Sequence, residues 1–82
     1  MGKDINKRFI LLVCAGNTCR SPMAKVTLKQ LLERDGKVEN YVVDSAGCSA
    51  APGTSTSFNA RKAIQELFGE DLLRSHKAKG LI

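Results

Sequence analysis

The stretch from Phe9 to Met23, FILLVCAGNTCRSPM, constrains the fold more than any other part of this 82-residue chain. A continuous apolar run, Phe9 to Val13, leads straight into Cys14. An apolar run that ends at a glycine-bearing loop reads as a strand buried on both faces, as in a parallel sheet. Five residues then separate Cys14 from Arg20. A loop of that length wraps one tetrahedral anion with its backbone N–H groups, and such nests at helix N-termini are anion sites. Gly16 is expected to supply a positive φ and a close backbone approach. Asn17 is the residue type that, after glycine, best tolerates a left-handed backbone. The planar fork of Arg20 grips two oxygens of a phosphate-like group, which a lysine cannot copy. Ser21 is the expected N-cap, and Pro22 the first helical residue. Cys14 then faces a helix dipole and a guanidinium, surroundings that favour a thiolate.

The rest of the chain extends this unit. Met1 to Lys7 is polar and reads as loose. A helix is expected from Pro22 to about Arg34, with Ala24, Leu28, Leu31 and Leu32 inward and Lys25, Lys29 and Glu33 on the wet side. Asp35-Gly36 ends it with turn chemistry. Tyr41 to Ser45 reads as a second short strand, so the two strands form a parallel βαβ unit with a right-handed crossover. Ala46 to Thr56 is a loop of small residues. A second helix is expected from about Ser57 to Phe68, with Ala60, Ala63, Ile64 and Leu67 inward and Gly69 as its stop. Glu70 to Ile82 holds a short connection and the single histidine, His76.

Composition narrows the classes. Hydrophobic content of 43% and charged content of 26% suit one small globular domain over residues 1–82. No apolar run approaches the about 18 residues of a membrane span, so no membrane association is expected. The formal charge of +5 favours acidic or phosphorylated partners. Nucleic acid is set aside, because aromatics are only 5% and interleave with no basic stripe. Three cysteines form no even disulfide framework, which points to a reducing, cytoplasmic setting. The cysteine loop ends in no Gly-Lys-Ser/Thr, so it is not a nucleotide P-loop.

The segment VCAGNTCRSPMA, Val13 to Ala24, resembles the signature of the low-molecular-weight protein tyrosine phosphatases. That family's relatives include protein-arginine phosphatases and thioredoxin-linked arsenate reductases. DSAG (Asp44 to Gly47) and SHKAK (Ser75 to Lys79) are similar to two further motifs of the family. The resemblance implies an α/β, three-layer, parallel-sheet phosphatase fold, here as an N-terminal βαβα portion. It implies Cys14 as nucleophile and Arg20 as its catalytic partner. Ala15, Gly16, Asn17, Thr18, Cys19 and Arg20 would bind phosphate, and Asn17, Ser21, Ser45 and His76 would support the loop. No cofactor or metal is implied, and the partner is a phosphorylated protein, hydrolysed through a cysteinyl-phosphate.

Family members are about twice as long. The portion beyond this chain carries further strands and the Asp-Pro loop that supplies the general acid. The family sheet places its first strand in the middle, so Phe9 to Val13 is expected here to leave one edge and much apolar surface open. The reading is of a truncated domain with impaired activity, self-associating or completed by another chain at that edge. The alternatives are an arsenate reductase of the same fold, or a non-catalytic anion-binding regulatory module. Phosphotyrosine-specific members carry an aromatic at the pocket wall where this chain has Ser49-Ala50-Ala51-Pro52. The arginine phosphatases have threonine directly after the nucleophile, where this chain has Ala15. Cys19 reads either as filler or as a redox partner for Cys14, and Cys48 as structural. A zinc set of Cys14, Cys19, Cys48 and His76 fits ligand spacing poorly.

Overall fold

A computed structural model describes residues 7–81. The polar segment expected to be loose lies, except for Lys7, outside them. The element order is β1 (Arg8–Cys14), α1 (Arg20–Arg34), β2 (Tyr41–Gly47) and α2 (Phe58–Phe68), with one 3-10 turn at Val38–Asn40 before β2. The βαβ expectation holds: β1 and β2 pair in parallel, with Arg8 opposite Tyr41 and Cys14 opposite Gly47. That register puts the end of β1 and the end of β2 side by side, so the loops that follow them share one end of the sheet. Both strands run past the expected boundaries, β1 through Cys14 and β2 through Gly47.

The core is small. Ala60 and Ile64 of α2 and Leu73 form its buried centre, with Cys19, Met23, Val26, Phe68 and Leu72 packed around it. Burying a side chain such as Leu73, only 2% exposed, contributes about 2 kcal/mol. The expected inward stripes are only half right. On α1, Leu28 and Leu32 are half-buried while Ala24 and Leu31 are exposed. On α2, Ala63 and Leu67 are exposed, and only Ala60 and Ile64 are buried. The reason is that α2 packs along a narrow line against Met23, Val26 and Leu73, too narrow for a broad stripe. Lys25 is also no simple wet-face residue, since its ammonium pairs with Asp44 of β2 at 3.3 Å.

β1 is not buried on both faces. Phe9, Leu11 and Val13 point to one side and are 80%, 50% and 49% exposed, while Ile10, Leu12 and Cys14 on the other are half-buried. Its apolar run needs cover on both faces, and the described elements supply it on one. The two-stranded sheet has the order β1-β2.

Helix ends follow local chemistry. Ser57 caps α2 by accepting from the Ala60 N–H at 3.3 Å, and Gly69 stops it at φ 76°. The segment after α2 is more than a connection. Arg61 on α2 grips Asp71 with its fork. The Ala78 N–H donates to Thr54 O (2.8 Å), Gly47 N–H to Lys79 O (2.9 Å), and Leu81 N–H to Gly47 O (3.2 Å). Residues 79–81 are thereby laid along the end of β2 by the Gly47–Gly80 bridge, and residues 77–78 against residues 53–55 by the Ser55–Lys77 bridge.

Candidate active site

Residues 15–19 make one continuous bend between β1 and α1. Asn17, not Gly16, takes the left-handed turn: its φ is 56°, and it is the sole non-glycine residue with positive φ among those described. Gly16 does not use positive φ, and a Cβ there would meet nothing closer than Thr18 Oγ1 at 3.5 Å. The glycine that the loop demands is Gly47 on β2. A Cβ at Gly47 would lie 2.5 Å from Ala15 O and 2.9 Å from Asn17 N, closer than any side chain permits.

Asn17 is fully buried and every polar atom of its side chain is used. Its Nδ2 donates to Ser21 Oγ at 2.8 Å and to Ser45 Oγ at 2.9 Å. Its Oδ1 accepts from the Lys79 backbone N–H at 2.9 Å. Its carbonyl lies 2.9 Å from His76 Nε2, so the imidazole carries its proton on that nitrogen and donates. A strained left-handed residue persists where its surroundings over-determine it, and partners from α1, β2 and residues 76–79 converge here. The expected supporting set, Asn17, Ser21, Ser45 and His76, is thus brought together around one side chain. Sequence reasoning missed two members, Gly47 and the Lys79 N–H. Lys79 acts through its backbone, which leaves no signal in a side chain.

Further bonds tie the loop to its neighbours. Cys48 N–H donates to Cys14 O and Ser49 N–H to Ala15 O, both at 2.9 Å. Ser57 N–H donates to Thr18 O at 2.9 Å, pinning the bend to the start of α2.

Ser21 does not cap α1. The helix begins at Arg20, the preceding Cys19 makes no side-chain cap, and Pro22 is its third residue. The Ser21 hydroxyl is taken instead by Asn17 and by Cys14, whose Sγ lies 3.0 Å away. Because Ser21 Oγ accepts from Asn17, its own proton is free to point at the sulfur. The Asn17 backbone N–H also donates to Cys14 Sγ, at 3.2 Å. Burial pushes the Cys14 thiol up. The Ser21 hydroxyl and N–H, the Asn17 N–H and the charge of Arg20 outweigh it, and the net pKa lies below the usual thiol value. The lowered thiol pKa matches the sequence expectation, and hydrogen bonds from Ser21 and Asn17 precede the guanidinium as its source.

Arg20 is exposed and has no ion pair among the described residues. It opens a helix with no acidic residue in the first turn, where its charge opposes the helix dipole. Ala15 is exposed, and Gly16, Thr18 and Cys19 are half-buried. Cys48 is exposed, away from the structural role expected of it, and all three cysteines are free thiols. No group of three metal-ligating side chains occurs among the described residues.

The family model described as low molecular weight phosphotyrosine protein phosphatase matches residues 9–81. The chain belongs to this family. It is 39% identical over 72 residues to the protein-arginine-phosphatase of Bacillus subtilis (strain 168), covering 88% of this chain and 45% of that protein. It is 31% identical over 78 residues to the low molecular weight phosphotyrosine protein phosphatase of Dictyostelium discoideum, covering 89% and 44%. The crystal structure of the low molecular weight protein tyrosine phosphatase from T. tengcongensis superposes with a TM-score of 0.81 at 37% identity, covering 93% of this chain and 49% of that one. The low molecular weight phosphatase fold is therefore present over about half the length of the relatives it matches.

Proposed function

We propose that this chain is a phosphomonoester hydrolase acting on phosphorylated proteins, phosphotyrosine first among them. The observation that carries the reading is the relay from Asn17 through the Ser21 hydroxyl to Cys14 Sγ, 3.0 Å away, on a loop that ends in Arg20, an arginine with no ion pair among the described residues. The Cys14 thiolate attacks phosphorus in line. A sulfur–phosphorus bond forms, the phosphorus–oxygen bond to the leaving group breaks, and the bonding pair departs with that oxygen. The Arg20 guanidinium and the amides of the bend hold the equatorial oxygens, and water then cleaves the phosphocysteine to phosphate and thiolate. Ser21 hydrogen-bonds the sulfur when it is the leaving group.

Neither Asp44 nor Asp71 is free to protonate the leaving group. Asp44 is committed to Lys25 and Lys79, and Asp71 to Arg61. Where solvent alone supplies the proton, doing without a positioned acid costs about 10²–10⁴-fold for a poor leaving group. The test is hydrolysis of p-nitrophenyl phosphate and of a phosphotyrosine peptide, with and without vanadate, in wild type and Cys14→Ser. Vanadate-sensitive release of nitrophenolate, lost in Cys14→Ser and far slower on the peptide, is the expected result. Equal rates in both proteins refute Cys14 as nucleophile. Vanadate binding without turnover refutes hydrolysis in favour of an anion-binding module.

A further inference from the structure

A well-formed cavity lies away from Cys14. It is a groove of about 450 Å³ between α1, the end of β2 and residues 72–79. That volume is in the range of small-molecule sites, which combine an apolar wall with a few placed charges. Here Val26, Leu72 and Leu73 supply the apolar wall. Four lysines, Lys25, Lys29, Lys77 and Lys79, stand around it against one carboxylate, Asp44. Asp44 pairs with Lys25 and Lys79. Lys77 donates to the Ser55 hydroxyl, an uncharged partner, and Lys29 has no ion pair among the described residues. Among the described residues, two ammonium groups at this groove therefore have no countercharge, beside an apolar surface.

The groove also reaches the back of the cysteine loop. His76 and Ser45 line it, and both bond Asn17, His76 at the carbonyl and Ser45 at the side-chain amide. A ligand seated there presses on two of the partners that hold Asn17 left-handed, 28 and 59 residues away in sequence. Loop geometry and groove occupancy then share one free energy, and the coupling is reciprocal.

We propose that this groove is a second, regulatory site for a small organic polyanion with an apolar ring or chain, whose binding alters the anion affinity of the cysteine loop. It lies outside the loop chemistry proposed above. Its coupling to the loop rests on that reading, whereas ligand entry into the groove does not.

Benzene-1,3,5-tricarboxylate is the probe, because it pairs a flat apolar body with carboxylates that do not mimic a tetrahedral phosphate. Titrated into the ¹⁵N-labelled chain at constant ionic strength, it is expected to give saturable amide shifts at residues 25–30 and 72–79. These vanish in Lys29→Gln/Lys77→Gln, a pair of exposed positions whose change leaves the spectrum folded and vanadate binding intact. Saturating probe is expected to change the vanadate dissociation constant at least threefold, in wild type only. Shifts that do not saturate, that centre on residues 14–20, or that survive in the double variant overturn the site. Saturable groove binding with an unchanged vanadate constant overturns the regulation. Failure of vanadate to bind at all refutes the function proposed for Cys14, and the groove titration still reads out independently.

Discussion

An Asn17→Ala substitution removes three side-chain hydrogen bonds at once, two buried ones to Ser21 (2.8 Å) and Ser45 (2.9 Å) and a partly buried one from the Lys79 N–H (2.9 Å). At about 1 kcal/mol net for each, the loss is about 3 kcal/mol. The two hydroxyls can turn to other partners, but the Lys79 N–H has no rotor and is left orphaned, which keeps the estimate from falling lower. The backbone adds to it. At φ 56° alanine carries a Cβ penalty of about 1 kcal/mol that asparagine partly offsets with local hydrogen bonds. The sum, about 4 kcal/mol, is most of the margin of a domain near the lower end of the usual 5–15 kcal/mol. Urea unfolding followed by far-UV circular dichroism measures it. With a slope of about 1–2 kcal/mol/M for a chain this small, the midpoint is expected to fall by about 2 M or more. Asn17→Gly relieves the backbone part alone and is expected to recover about 1 kcal/mol. A loss under about 1 kcal/mol in Asn17→Ala, the size of an ordinary surface change, refutes the view that Asn17 organises this end of the sheet.

Ser21→Ala removes the strongest of the contacts that lower the Cys14 pKa, so the pH profile of iodoacetamide alkylation is expected to move to higher pH; an unmoved profile refutes the hydroxyl as the main cause and leaves the shift to the Ser21 and Asn17 N–H groups and Arg20. Gly47→Ala drives a Cβ to 2.5 Å from the Ala15 carbonyl, and is expected to cost at least about 2 kcal/mol in urea unfolding and to abolish vanadate binding, while Gly53→Ala, with open space around it, disturbs only its own turn. At Asp44, burial opposes ionisation, but the Lys79 ammonium, the Ser45 N–H and Lys25 outweigh it and hold the carboxyl at about 2, below its ordinary 3.8. The folded-state value is the lower one, so the contribution is complete above pH 3.8 and is lost as pH falls from there toward 2. With the carboxylate 39% exposed, solvent screening leaves about 1 kcal/mol, and Asp44→Asn is expected to erase that acid-side slope in stability.

Much of this molecule follows from local pattern. The apolar run before Cys14, the turn residues Asp35 and Gly36, and the cap pair Ser57 and Gly69 act over a few neighbours, and each element they announce is present. The left-handed Asn17 belongs with them, because a short amide side chain pays least for that backbone. Burial is where local pattern misleads. Ala24, Leu31, Ala63 and Leu67 obey the helical period and are nevertheless exposed, since a period locates a face but not what lies opposite it. Ser21 has every local qualification of an N-cap, yet its hydroxyl goes to Cys14 and Asn17, because a thiol and a buried amide offer it more than the helix end does. The bonds from Ser45, His76 and the Lys79 N–H to Asn17 span 28, 59 and 62 residues. Contacts over such separations exist once the parallel register has set Gly47 beside Cys14 and residues 79–81 lie along the end of β2, which no property of the individual residues encodes.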